Sequence, residues 1–321
     1  MIEIQDFKET YQEFIDICKI ENLINHDSIS HPQEMRDCWN IRNKQRYYNK
    51  LLAYKENNLV GVLHLAQGQG SNDRNFYFSM YIDPDFNKLG IRELLYNELL
   101  KRVRSFNCKA LYPYVYEHPN YIDNKNFYIQ KGFLHVQTNR EYSLMLSTCD
   151  TSPYKTLIPK LEAEGIVIQE PIKGLNKKPD HYKKLEELQW IYEQDMPIPE
   201  GIEHTRTPFE EWMVDVKNFE EKLYGIELVA IYKNQYVAST DIELMKKSDP
   251  YKAWTGGLGV HPEFRKKGIA TALKVQAIEK LRKRGVKEIR TDNEQNNPMY
   301  LINAALGFKP VPYSLDYKKN I

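Results

Sequence analysis

Along the second half of the chain the spacing of apolar residues changes period. Over residues 226–233 and 236–245 apolar and polar positions alternate around Lys233-Asn234-Gln235, which predicts a hairpin, and 253–260 continues as a third strand. From Gly268 onward Ala270, Leu273, Ala277 and Leu281 recur at helical spacing, leaving Lys274, Lys280, Lys283 and Arg284 on the other faces. A strand is predicted at 286–293, then a helix opened by Asn297-Pro298, carrying Met299, Ile302 and Leu306 on one face and ended by Gly307. Upstream, Ile166-Val167-Ile168 reads as a short strand and 180–194 and 208–218 as helices, the latter with Thr207 as N-cap and Pro208 at its first position. Strands at 308–311 and 313–318 close the pattern, a mixed α/β arrangement with helices packed on a mixed sheet.

The first half repeats this order: strand 2–5, helices 8–20 and 32–45, strands 50–56, 59–66 and 75–82, helix 90–106, strand 109–116, helix 121–131, strands 133–138 and 141–146. The repetition extends to residue identity. Ile82-Asp83-Pro84-Asp85-Phe86-Asn87-Lys88-Leu89-Gly90-Ile91 lies without a gap over Val260-His261-Pro262-Glu263-Phe264-Arg265-Lys266-Lys267-Gly268-Ile269. Upstream, Ala53-Tyr54-Lys55 answers Ile231-Tyr232-Lys233, and downstream Lys131-Gly132-Phe133 answers Leu306-Gly307-Phe308. Two homologous domains are expected, 1–148 and 155–321, joined where Thr148, Asp150, Thr151, Ser152 and Pro153 cluster as breakers.

Length agrees, since 321 residues are ample for two cores. Charge removes some functions: 45 basic against 44 acidic residues give a formal +1, so there is no overall pull toward nucleic acid or an anionic membrane. No stretch approaches the roughly 18 apolar residues of a membrane span, and the N-terminus shows no basic region followed by an apolar run, so a cytoplasmic protein is expected. Cys18, Cys38, Cys108 and Cys149 show no C-x-x-C spacing, and neither a disulfide framework nor a metal site is expected.

Chemistry concentrates in Arg265-Lys266-Lys267-Gly268-Ile269-Ala270, between a strand and a long helix. A glycine there lets the backbone turn sharply and present N–H groups at a helix N-terminus, where the dipole favours an anion and the flanking cations add to it. A diphosphate suits such a turn. The spacing is neither G-x-x-x-x-G-K-[ST] nor G-x-G-x-x-G, which disfavours nucleotide hydrolysis and dinucleotide binding. The segment resembles the pyrophosphate motif Q/R-x-x-G-x-G/A of the GNAT superfamily of N-acetyltransferases. The resemblance continues through Gly259-Val260-His261-Pro262 before it and Asn297-Pro298-Met299 and Leu306-Gly307-Phe308-Lys309-Pro310 after it. The tandem arrangement, with Thr291-x-Asn293, Asn297-x-Met299 and Ile302-Asn303, is similar to the two-domain branch that includes mycothiol synthase-like enzymes.

The resemblance implies that acetyl-CoA is the acyl donor. Backbone around Leu258 and Val260 would pair with the pantetheine arm and polarise the thioester carbonyl. The N–H groups of Lys266, Lys267, Gly268, Ile269, Ala270 and Thr271 would hold the pyrophosphate, and Asn297 would stand near the cofactor. The first copy has decayed to Asn87-Lys88-Leu89-Gly90-Ile91-Arg92, losing the leading Q/R and placing a bulky Arg92 where the cofactor lies against backbone. That copy is read as degenerate.

An alkylammonium must lose a proton before it attacks a thioester, so a base is expected. On strand 236–245 the period of two puts Ser239, Asp241 and Glu243 on one face; Glu243 is favoured slightly over Asp241, with Glu294 and, behind it, His261 as further candidates. Many GNAT enzymes carry a tyrosine four residues before the Gly-Phe glycine to protonate the thiolate, and here that position is Asn303, whose amide can only donate a hydrogen bond. Tyr300 is a substitute one turn earlier, while the first copy keeps Tyr128 at the corresponding place. The expected acceptor is a primary amine on a small molecule, with Glu186-Glu187 and Glu210-Glu211 as acidic stretches that could line a cation's path; the chain would act as a monomer or homodimer. A protein lysine or N-terminus as acceptor, and a non-catalytic CoA-binding sensor, are the alternatives.

Overall fold

The computed structural model describes residues 1–25, 27–171, 174–222, 225–244 and 247–321, with the backbone alone for 218–222. Residue 245, the last of the expected strand 236–245, lies outside the described residues. The chain forms two compact units: one holds residues 1–139, 198–205 and 312–321, the other 140–197 and 206–311.

The first unit begins with β1 (Ile2–Asp6), α1 (Tyr11–Ile24), α2 (Pro32–Ile41), β2 (Tyr48–Lys55), β3 (Asn58–Gln67) and β4 (Asn75–Ile82). It continues with α3 (Ile91–Arg104), β5 (Ala110–Tyr116), α4 (Ile122–Gln130) and the start of β6 (Leu134–Met145). Thr10 and Glu13 form a reciprocal capping box at the start of α1. Beneath α3 lies a core that includes Leu51, Leu63, Phe76, Phe78, Met80, Leu95 and Leu99.

The second unit takes the rest of β6, then α5 (Leu157–Ala163), β7 (Ile166–Gln169), α6 (His181–Glu193), α7 (Phe209–Lys222), β8 (Ile226–Tyr232), β9 (Gln235–Leu244) and β10 (Lys252–Val260). Then come α8 (Ile269–Lys283), β11 (Glu288–Glu294), α9 (Met299–Ala305) and β12 (Lys309–Pro310). Its strands run in the order β6-β11-β10-β9-β8-β7. Only β10–β11 is parallel among the pairs whose register is set out for this unit; β7–β8, β8–β9, β9–β10 and β6–β12 are antiparallel. Alternation along the strands serves two cores: Leu228, Ala230 and Ala238 join Leu273, Ala277 and Leu281 of α8, while Val229 and Tyr236 join Leu185, Leu188 and Tyr192 of α6.

The repeat is visible in the turns. Glu56 and Asn57 have φ of 50° and 67°, and Lys233 and Asn234 have 44° and 68°, so both hairpins use a two-residue turn with positive φ at both positions.

Three expectations are corrected. The strands expected at 133–138 and 141–146 are one continuous β6. Helix α5, where no element was expected, packs Leu161 into the core just before β7. The last strand, β13 (Ser314–Asn320), does not close the second half. It pairs antiparallel with β5 and with residues 134–139 of β6 in the first unit, where Leu315 and Tyr317 enter the core. The units therefore differ from 1–148 and 155–321 in exchanging the chain's terminal strand and residues 198–205.

Candidate active site

Strand β10 ends at Val260, and His261 accepts the Glu263 N–H at 3.4 Å to start a short turn over Pro262–Phe264, so His261 is a cap in this structure. Lys266 (φ 62°) and Gly268 (φ 84°) then reverse the chain into α8. A Cβ at 268 would stand 2.8 Å from Leu157 Cδ1 in a left-handed conformation, so a side chain is excluded twice over. No side chain caps α8. Its first internal bond is Ala272 N–H to Gly268 C=O at 2.9 Å, which leaves the leading N–H groups of Ile269, Ala270 and Thr271 for an external acceptor. Lys266 and Lys267 are exposed beside them. Arg265 is otherwise engaged: its Nε donates to the Val260 carbonyl at 3.0 Å and its guanidinium pairs with Asp195 at 2.5 Å.

Beside this loop the sheet opens. β10 and β11 pair in parallel only from Lys252–Glu288 to Trp254–Arg290, and beyond them residues 255–260 and 291–294 part. On its other edge β10 pairs with β9, but the register shifts between Thr255 and Leu258, a β-bulge at Gly256-Gly257. Glycine is needed there for space. A Cβ on Gly256 would lie 1.8 Å from Asp241 Oδ2, and one on Gly259 would lie 2.0 Å from Cγ of the Tyr192 ring on α6. Tyr192 is buried, with its hydroxyl 3.3 Å from Ser239 Oγ. The bulge and Tyr192 were missed by sequence reasoning; the glycines at 256, 257 and 259 in a strand were the available signal.

The bulge holds an acid. Asp241 Oδ1 accepts the Gly257 N–H at 2.9 Å. Burial, reinforced by Glu243 close by and opposed by that N–H, pushes the Asp241 carboxyl up to about 7. Glu243 is raised by burial as well. Glu294 is spent on its own turn, accepting the Asn296 backbone N–H at 2.8 Å and its side-chain amide at 3.0 Å. Asn297 accepts the Met299 N–H at 3.0 Å, in the turn that leads into α9, whose N-cap position is Pro298. Tyr300 packs against the core. Of the acidic stretches, Glu186 is buried in a two-point pair with Arg206 at 2.6 Å, whereas Glu187 and Glu210 are exposed.

Asn303 is completely buried. Its Nδ2 donates to Asn293 Oδ1 at 2.7 Å, and its Oδ1 has no partner among the described residues. Lys274, expected on a polar face of its helix, is instead buried, its ammonium 5.4 Å from the centre of the Phe308 ring.

The fold recurs in known proteins. The chain matches the Acetyltransferase (GNAT) family over residues 9–133 and again over 185–308. It belongs to that family. Among solved structures it is similar to a tandem GNAT protein from the clavulanic acid biosynthesis pathway, solved without AcCoA, at 18% identity and a TM-score of 0.79 over 100% of this chain and 98% of that one. A GCN5-related N-acetyltransferase from Sphaerobacter thermophilus aligns at 15% identity and a TM-score of 0.72, over 99% of this chain and 95% of that one. A glucosamine N-acetyltransferase region of a fungal multi-domain GH3 beta-N-acetylglucosaminidase aligns at 14% identity and 0.73, over 99% of this chain but 38% of that one. A search of curated proteins gave no match. Acetyl transfer in general follows from the family. Among the described residues no group of three or more His, Cys, Asp or Glu is placed to hold a metal ion, and no helix is long and apolar enough to cross a membrane.

The first GNAT unit keeps the turn, with Gly90 at φ 69°, but fills what surrounds it. Arg92 Nε donates to Asn124 Oδ1 at 2.7 Å and its Nη2 to Asn87 Oδ1 at 3.0 Å. Asn124 in turn donates to the Met80 carbonyl at 2.7 Å, the group that aligns with Leu258 of the second unit. The groove over this loop, about 960 Å³, is lined by Lys55, Lys88 and Arg92 but equally by Asp85, Glu93 and Asp123, so it offers a diphosphate no net attraction.

Proposed function

We propose that the second unit transfers the acetyl group of acetyl-CoA to a primary amine of a small molecule, with Asp241 as the base. The observation that carries this reading is the Asp241 carboxylate at the bulge where β10 leaves β11, bonded to the Gly257 N–H at 2.9 Å and raised to about 7. A base with that affinity is half ionised near neutrality and takes up the proton an ammonium must lose. Glu243, first in line on sequence grounds, then acts on Asp241 by charge.

Bound acetyl-CoA supplies an activated acyl group and a thiol leaving group. The chain's part is to hold and orient it. The N–H groups from Lys266 to Thr271 face the diphosphate, with Lys266 and Lys267 adding charge, and backbone at Leu258 and Val260 lies along the pantetheine arm. With its own carbonyl bonded to Arg265, Val260 has only its N–H to offer. A left-handed glycine, an uncapped helix start and a parted sheet edge fit such a donor.

The acceptor class is tested by a thiol-release screen with acetyl-CoA against small amines and peptides. Amino sugars stand first in the panel because of the glucosamine N-acetyltransferase region among the similar structures, and pseudo-disaccharide amines second because of the mycothiol synthase-like sequence pattern. Release with small amines but not peptides supports the proposal. Release with peptides alone makes the acceptor a protein, and binding without turnover on any amine leaves a CoA-binding sensor.

A further inference from the structure

A buried ammonium without a counter-charge is costly, and it persists in a fold when something else keeps it. Lys274 is such a group. It is 7% exposed, on the central part of α8, and no ion pair or hydrogen bond engages its Nζ among the described residues. Burial lowers it to about 8, and its ammonium lies 5.4 Å from the centre of the Phe308 ring.

Its position is informative. Lys274 follows Ala270 by one helical turn, so the two share a face of α8, and Ala270 is where the donor lies against the chain. Phe308, under the ammonium, donates its N–H to the Asn303 carbonyl at 3.0 Å. Asn303 reaches Asn293 on the stretch of β11 that has parted from β10, and its buried Oδ1 lacks a donor among the described residues. The Lys274 ammonium thus lies beside Phe308, whose backbone is bonded to that of Asn303, and the Asn303 amide reaches the stretch of β11 where the sheet opens.

Resting on the reading of the second unit as the acetyl-CoA site, we infer that Lys274 is the group that protonates the departing thiolate, with Asn303 holding the resulting thiol. In that step the acceptor nitrogen bonds to the acyl carbon, the carbon–sulfur bond breaks, and the sulfur takes a proton from the Lys274 ammonium. The acceptor nitrogen gives up two protons, one before it attacks and one as the adduct collapses; Asp241 takes each in turn and passes it to solvent, and Lys274 regains its own from solvent. A thiol titrates near ~8.5, so donor and recipient are closely matched.

The test uses the full chain and the Lys274→Met variant, with Lys274→Gln as a second neutral replacement, in three measurements: acetyl-CoA affinity by calorimetry, kcat against pH, and Tm. The expected result is unchanged affinity, kcat lower by about 10²-fold, the lower end for a general acid because a thiolate leaves without much help. The decline of wild-type kcat above pH 8 should disappear in both variants. Tm should rise, because an unpaired buried charge has been removed. A Tm that falls with kcat and its pH profile intact makes Lys274 structural, and weaker binding with unchanged kcat makes it a diphosphate ligand; either overturns the inference. If the wild type itself neither binds acetyl-CoA nor releases thiol, the parent reading is what fails.

Discussion

Gly90 and Gly268 occupy the same turn, in the same left-handed conformation, at the start of corresponding helices, and only Gly268 fronts the proposed diphosphate site. The difference lies in what flanks the turn. In the second unit Gly256, Gly257 and Gly259 line the strand that leads to it; in the first, the aligned residues are Phe78, Ser79 and Tyr81. Accordingly β10 bulges against β9, while β4 pairs with β3 without interruption from Phe76 to Ile82. After the turn Ala270 leaves room, whereas Arg92 and Asn124 close on the strand carbonyl that a donor would need.

The widest effect is expected from introducing a negative charge at each of the two glycines. Gly268→Glu puts bulk and a negative charge beside the diphosphate and should abolish acetyl-CoA binding. Gly90→Glu should leave affinity and the stoichiometry of one per chain unchanged. Both carry a backbone cost of about 1–2 kcal/mol for a left-handed non-glycine residue; Gly268→Glu also meets Leu157 where Gly90→Glu meets open space, so the Tm of each variant is read beside its affinity. Calorimetric titration of wild type and both variants decides it, and two equivalent wild-type sites would dissolve the contrast between the units.

Next comes Asp241→Asn. A lost base lowers kcat/KM by about 10²–10⁴-fold, and the wild-type rise in kcat/KM through pH 7 should vanish with it. Stability should move the other way. The native carboxyl holds its proton up to about 7 while the unfolded one has lost it near 3.8, so wild-type stability falls as pH rises through that window. The amide removes this fall, and at pH 8 the variant's Tm should equal or exceed that of wild type. Glu243→Gln should have the smaller effect, a lower apparent pKa in the rate profile through loss of the charge that helps to raise Asp241.

Most of the fold was legible because the signals are local. The Gly-containing turn, the two hairpins and the helical periodicity of 270–281 each declare themselves within a few residues, and their repetition doubles the evidence. The exchange of β13 was not legible, since a short alternating strand such as Ser314–Asn320 fits any open sheet edge and only tertiary pairing selects one. The site divides in the same way. Gly268 and Ala270 stand in a local motif, while the sequence put Glu243 slightly ahead of Asp241; the opposite order proposed here draws on a bulge in the neighbouring strand, which no local pattern shows. Lys274 was placed on a polar face by residue type alone, which holds for most lysines and fails for one kept buried.

The bulge itself can be filled. Gly256→Ala brings a methyl group 1.8 Å from Asp241 Oδ2, so the carboxylate or the strand must move. The expected outcome is acetyl-CoA binding within a few-fold of wild type, with turnover reduced by about 10²-fold as the base leaves its place. Normal turnover in this variant would show that the bulge is dispensable and that the glycines of β10 do not explain the difference from β4.

The smallest effect is predicted at the pair of residues four positions before the Gly-Phe glycine. Tyr128, in the first unit, is fully buried between Phe78, Phe127 and Phe133, and its hydroxyl has no partner, which makes it core material that carries a polar atom at a cost. Tyr128→Phe keeps the ring and removes the unmatched atom, so stability should be unchanged or higher by up to about 1 kcal/mol, with kcat untouched. Asn303→Leu differs in kind, since it strips Asn293 of its donor and the thiol of its acceptor, and kcat should fall. Melting curves and turnover on both variants place the two positions side by side. A Tyr128→Phe protein that folds normally but turns over more slowly would mean that the first unit's phenol takes part in the chemistry, and the division into one working site and one filled one would not stand.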